Sequence, residues 1–274
     1  MSLFNSNLFK RVAAAAVLAP IVIGAALWEN PFAWTALILV AVFLSLIEYA
    51  IMAFDPQELW DRMFVVMTGT LLCAFMMLLS QFMLLLGVWV ILVISLGLII
   101  FSPHPPTAGA RLGKHFVGVF LIAYLLSFAG LIKQMPDGGR WVLFTLTIVW
   151  FGDTGAYFMG KTLGRHKLAP LVSPNKTWEG SFGGLLASMG AGALAMTYVP
   201  GLTWMIALSL GALVGIMGQF GDLAESLVKR TYNVKDSGNL IPGHGGMLDR
   251  IDAVLFAAPM MFIYLYVAYS QTGP

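Results

Sequence analysis

Asp222, Glu225, Ser226 and Lys229 follow i, i+3, i+4, i+7 spacing in the segment FGDLAESLVKRTYNVKDSGNLIPGHGGMLDRID, residues 220–252. They form one polar stripe if the helix that carries them continues past the membrane. After Lys235 and Asp236 come the breakers Gly238, Pro242, Gly243, Gly245 and Gly246. A last helix is predicted from near Met247, with Asp249 and Asp252 on one face of its first turn. The helix dipole favours anions there, and paired carboxylates can hold a hard cation. This combination suits phosphate chemistry. Mg²⁺ takes a few carboxylates together with phosphate oxygens and water. Lys229, Arg230, Lys235, His244 and Arg250 can neutralise a polyphosphate, and the turn at 243–246 can bring backbone N–H groups close to it. The plainer alternative is a salt-bridge cluster that anchors two helix ends, but that needs neither so many glycines nor two acids in one turn.

A second polar group is WFGDTGAYFMGKTLGRHKLAPLVSPNKTWEGSFGG, residues 150–184. Asp153 sits in an apolar stretch beside Gly152, Thr154 and Gly155. Lys161, Arg165, His166, Lys167 and Lys176 make the next segment strongly basic. Ordinary anchoring on the inner face of a membrane explains about half of those charges. It does not explain why Ser173, Asn175, Lys176, Thr177 and Glu179 crowd a helix entrance, a natural anion site. Two motif matches are rejected. Gly155-x4-Gly160-Lys161-Thr162 fits a Walker A pattern, but it begins inside a membrane helix with no strand before it. Asn175-Lys176-Thr177 is a glycosylation sequon placed on the cytoplasmic side.

The elements that must position these residues are membrane helices. Of 274 residues, 59% are hydrophobic and 10% charged, and the mean hydropathy is +0.86. That excludes a soluble domain, a disordered chain and a nucleic-acid binder, all of which are more polar. The apolar runs are unbroken, whereas a membrane barrel would alternate. Nine stretches are predicted as spans: 12–28, 32–54, 63–79, 82–101, 115–132, 141–160, 180–199, 202–221 and 251–270. With the N-terminus in the cytoplasm, all of the 15 Lys and Arg except Lys133 and Arg140 fall on the inner side, as the positive-inside rule requires. The first stretch follows Lys10 and Arg11 in the manner of a signal peptide and is read as an uncleaved helix. The long connections, 161–179 and 222–250, are then cytoplasmic, and the chemistry belongs at the inner helix ends. The expectation is an all-α polytopic membrane protein, with N-terminal helices over 1–110 and a catalytic region over 111–274 that carries both polar motifs. The small residues Gly183, Ala187, Ala191, Gly211 and Gly215 suit close helix packing, with a dimer seam as the alternative. Glu48, near the inner end of the second span, either pairs locally or lines the site. The lone cysteine, Cys73, permits no intrachain disulfide.

The polar pattern of residues 226–252 closely resembles the signature of the phosphatidate cytidylyltransferase (CDP-diacylglycerol synthase) family. That signature reads S-x-x-K-R, four residues, K-D, then a turn into H-G-G-x-x-D-R-x-D. Ser226, Lys229, Arg230, Lys235, Asp236, His244, Gly245, Gly246, Asp249, Arg250 and Asp252 all stand at its positions. The SPNKTWEG stretch and the Asp153 helix are similar too; the N-terminal half matches in hydropathy alone. The resemblance implies an integral inner-membrane enzyme, a homodimer, that condenses CTP with phosphatidic acid to give CDP-diacylglycerol and pyrophosphate. It also implies Mg²⁺, with a monovalent cation such as K⁺ beside it. On that basis Asp222, Lys229 and Asp249 are expected to be catalytic. Asp222 and Asp249 are expected to bind the metal first, with Asp252 and Glu225 as further ligands. Arg230, Lys235, Arg250 and Ser226 are expected to meet the phosphates together with Lys229, while His244, Gly245 and Gly246 shape the nucleotide side. Ser173, Asn175, Lys176, Thr177 and Glu179 are expected to cover the site or bind the second anion. The rival classes are a CTP-dependent lipid-alcohol kinase and an ion-coupled transporter.

Overall fold

The computed structural model describes residues 6–79, 108–238 and 245–272, with isolated helical positions at 89, 92–93 and 96–97. The expected span at 82–101 and His244 therefore lie outside the described residues. Eight helices are described: α1 Ser6–Leu27, α2 Pro31–Ala53, α3 Leu59–Leu78, α4 Ala108–Gln134, α5 Gly138–Leu163, α6 Trp178–Ala195, α7 Trp204–Thr231 and α8 Leu248–Thr272. Six of them, α2, α3, α4, α5, α7 and α8, are long and apolar enough to cross a membrane. The chain is an integral membrane protein of helical architecture. Within the described part of α1, the apolar stretch is Ala16–Leu27. α6 falls short of the other spans because glycines and Glu179 dilute its apolar content.

Local sequence sets the helix starts. The side chains of Asn30, Thr177 and Thr203 cap α2, α6 and α7 by accepting backbone N–H groups. Pro31 occupies the first turn of α2, where a missing N–H costs nothing. α4 passes through π-helical turns at Val117–Tyr124, where Gly118 lets Val65 and Tyr49 approach its backbone. α5, α6, α7 and α8 pack in succession, α2 and α3 pack on α4, and α8 also lies along α4 and joins the two groups. Where lipid is the solvent, such packing rests on close contact and interhelical hydrogen bonds. The small residues supply that contact within the chain. Gly155 meets Ala187, Gly183 meets Met159, and Gly211 and Gly215 meet the Ser188 turn. Those stripes thus serve packing within the chain.

The sequence reading did not foresee one element. Between α5 and α6 the chain forms a two-stranded antiparallel hairpin, β1 Lys167–Ala169 and β2 Ser173–Thr177. Lys167 pairs with Thr177 and Ala169 with Ser173. The expected loop 161–179 is therefore mostly structured. The expected loop 222–250 shrinks as well, because α7 runs through to Thr231 and α8 begins at Leu248.

Candidate active site

The C-terminal ends of α2, α5 and α7 and the starts of α6 and α8 gather at one end of the bundle. The polar stripe of α7 faces the first turn of α8. Lys229 lies between two acids, 2.5 Å from Glu225 and 2.6 Å from Asp249, and its side chain is 11% exposed. Asp249 is fully engaged: its Oδ1 takes Lys229, and its Oδ2 accepts the N–H groups of Ser237 (3.0 Å) and Gly246 (2.8 Å) and lies 3.0 Å from the Ser237 hydroxyl. The β-hairpin brings the second motif to the first, with Lys176 Nζ 2.6 Å from Asp222 Oδ2. Arg230 ties the hairpin to the end of α7 by donating to the carbonyls of Val172 and Val234. Ser181 and Gln219 join α6 to α7 by a mutual hydrogen-bond pair.

Asp222 and Asp249 were expected to meet on one ion, but here each has its own lysine. The acids within electrostatic reach of Asp222 are Asp153 and Asp252, and Asp252 also faces Glu225. Among the described residues no three acid, histidine or cysteine side chains are gathered as a metal-binding group. The donor chemistry nevertheless fits a hard divalent cation. Asp153, Asp222, Glu225, Asp249 and Asp252 bring five carboxyl groups towards the cations of Lys176, Lys229 and Arg250, a donor set richer in acids than in bases. The Glu225 carboxylate is buried, and among the described residues its charged partner is Lys229, 2.5 Å from Oε2.

The remaining expected residues divide by task. The Thr177 hydroxyl caps α6 by accepting the Gly180 N–H at 3.1 Å. Glu179 accepts from the backbone of Arg165 and His166 and sits 2.6 Å from the His166 ring. Both residues hold the hairpin in place. Ser226 is buried, Ser173 is half-buried, and Asn175, Lys235 and Arg250 are exposed. Gly245 has φ 79°, and a Cβ there would stand 2.7 Å from Asp249 Oδ2. Gly245→Ala is therefore expected to cost about 1–2 kcal/mol from the backbone alone and to displace Asp249. Both the melting midpoint and turnover should fall, and an unchanged midpoint would contradict this account.

The hydrogen bond from the His166 ring, helped by the Glu179 and Arg165 N–H groups, draws the Glu179 carboxyl down to about 2. A depressed carboxyl stabilises the fold fully above its ordinary value near 4.5 and loses that contribution as pH falls towards 2. Amide exchange at Arg165 and His166, corrected for intrinsic rate, should show constant protection down to about pH 4.5 and a decline below it. Loss of protection already at pH 6 would break the assignment.

A cytidylyltransferase family model matches residues 9–268, nearly the whole chain. The chain belongs to that family. A phosphatidate cytidylyltransferase of Staphylococcus saprophyticus is 42% identical over 146 residues, 53% of this chain and 56% of the relative. One of Staphylococcus aureus is 44% identical over 147 residues with the same coverage, and one of Staphylococcus epidermidis is 42% identical over 146 residues. The matched stretch spans about half the length of these relatives.

One polar grouping escaped the sequence reading, and Glu48, expected either to pair locally or to line the site, has distant partners. Asp61 on α3 receives Arg111 through both oxygens, at 2.8 and 2.7 Å, and lies 2.9 Å from the His115 ring. Glu48 on α2 reaches Ser237, Met247 and Leu248. For Asp61 the available signal was an acid at the entrance of an apolar stretch.

Proposed function

We propose that this membrane protein transfers the cytidylyl group of CTP to phosphatidic acid, giving CDP-diacylglycerol and pyrophosphate. One observation carries this reading. Lys176 on the hairpin meets Asp222 on α7, so the two polar motifs form a single site of carboxylates and cations at the membrane edge. Membership of the family and the names of its relatives support it. The acceptor is itself a phosphate, so the protein need not supply a nucleophile. A phosphatidate oxygen forms a bond to the α-phosphorus of CTP, and the bond to the pyrophosphate oxygen breaks. Catalysis is then positioning and neutralisation of charge. Mg²⁺, when bound, polarises phosphate oxygens and screens the charge that builds up on them. Asp222, Asp252, Glu225 and Asp249 are the groups that would hold it. Lys229 and Arg230 orient phosphates from the α7 side, and Lys176 does so from the hairpin side. The exposed Lys235 and Arg250 draw the nucleotide in from the cytosol.

An inward orientation belongs to the same proposal. Lys133 and Arg140 lie by the α4–α5 connection, at the end of the bundle opposite the site, and the site end carries the other described basic groups. The plasma membrane and a homodimer complete it; the dimer seam must avoid the faces of α6 and α7 already used within the chain. Purified protein given phosphatidic acid, Mg²⁺ and CTP labelled at either the α- or the γ-phosphate distinguishes the alternatives. Lipid that retains only α-label supports the synthase. γ-label transferred to an alcohol identifies a kinase, and no label in any product favours transport.

A further inference from the structure

Glu48 is a buried acid that none of the steps above uses. It is 7% exposed and belongs to α2, 189 residues before Ser237. Its Oε1 accepts the Met247 N–H at 2.8 Å, and its Oε2 accepts the Leu248 N–H at 2.9 Å and the Ser237 hydroxyl at 3.0 Å. Its partners among the described residues are thus neutral donors at both ends of one connection, the segment from Ser237 to Met247. Gly238 and Gly246 admit it: a Cβ on either would run into the Glu48 carboxyl. Part of this is a helix cap, since the first N–H groups of α8 have no partner within the helix. A cap alone needs neither the far end of the connection nor two glycines that clear a path. The Ser237 hydroxyl is also 3.0 Å from Asp249 Oδ2, and Asp249 holds Lys229. One chain of contacts therefore runs from Glu48 through Ser237 and Asp249 to Lys229.

We propose that Glu48 is a positioning residue for the nucleotide. It holds the described ends of the connection, at Ser237 and Met247, and through Ser237 and Asp249 it fixes Lys229 for the CTP phosphates. This rests on the cytidylyl transfer proposed above. Glu48 touches no reacting atom, and the lipid side of the site, built on the hairpin, is independent of it.

The test uses the full chain in phosphatidate-containing micelles. Glu48→Gln keeps the shape but removes the charge and one acceptor. It should raise the KM for CTP about tenfold, the equivalent of one charged hydrogen bond, with the KM for phosphatidate unchanged. Ser237→Ala leaves both cap bonds to Glu48 and the backbone N–H bond from residue 237 to Asp249 in place, yet removes the hydroxyl that bridges Glu48 and Asp249. It should give a similar rise, and the double variant should add little to either. A KM for CTP that stays at the wild-type value in both single variants, with only a lower melting midpoint in Glu48→Gln, would reduce Glu48 to a helix cap and overturn the proposal. If the wild-type protein makes no lipid product from CTP, the transfer reading fails and hydrogen exchange decides the clamp. In Glu48→Gln the amides of Ser237, Met247 and Leu248 should then exchange about tenfold faster than in wild type; unchanged protection overturns it.

Discussion

Asp222→Asn should remove nearly all turnover while leaving the protein folded. Asp222 is partly exposed, and its ion pair among the described residues, to Lys176, is partly exposed too. Pairs of that kind stabilise by about 0–1 kcal/mol, so the melting midpoint should hardly move. The charge of Asp222, however, stands where the polar stripe of α7, the hairpin and the acids of α5 and α8 come together. Loss of one preorganised electrostatic group at such a point costs on the order of 10²–10³-fold in rate. The measurement is initial rate beside thermal unfolding in the same detergent. Near-normal rate in a well-folded variant would remove Asp222 from the mechanism.

Lys229→Met should have the opposite balance, with stability suffering as much as activity. Lys229 is the shared partner of two buried acids, Glu225 at 1% and Asp249 at 9% side-chain exposure. Removing one member of a buried charge group leaves the others uncompensated, at about 3–5 kcal/mol. The midpoint should therefore drop steeply. Adding Glu225→Gln removes one of the stranded charges and should recover part of the stability, while activity stays lost. A double variant no more stable than Lys229→Met alone would show that the pair with Glu225 contributes nothing.

These two residues illustrate what the sequence made legible. The period of Asp222, Glu225, Ser226 and Lys229 predicts a continuous helix beyond the membrane, and α7 does run to Thr231. The glycines after Asp236 predict a break and a new start near Met247, and α8 begins at Leu248. Helical spacing carries that information because it is local. The union of Lys176 with Asp222 is not local. It depends on a hairpin whose strands contain Pro174 and too few residues to alternate visibly. Spacing also placed Asp249 beside Asp252 in a first turn, but it could not show that the Asp249 carboxylate also accepts loop N–H groups and pairs with a lysine. Glu48 and Asp61 find partners about 190 and 50 residues away, and pairings at such separations leave no periodic trace. The predicted span at 180–199 shows a different limit, because α6 gives up apolar content for the small residues that let α5 and α7 approach it.

The most direct measurement is the stoichiometry of the reaction in purified protein. Wild-type chain supplied with α-labelled CTP, phosphatidic acid and Mg²⁺ should release one pyrophosphate for each label that passes into lipid, and Asp222→Asn should release almost none. Pyrophosphate without labelled lipid, labelled lipid that persists in Asp222→Asn, or no CTP turnover in the wild-type chain would contradict the site described here.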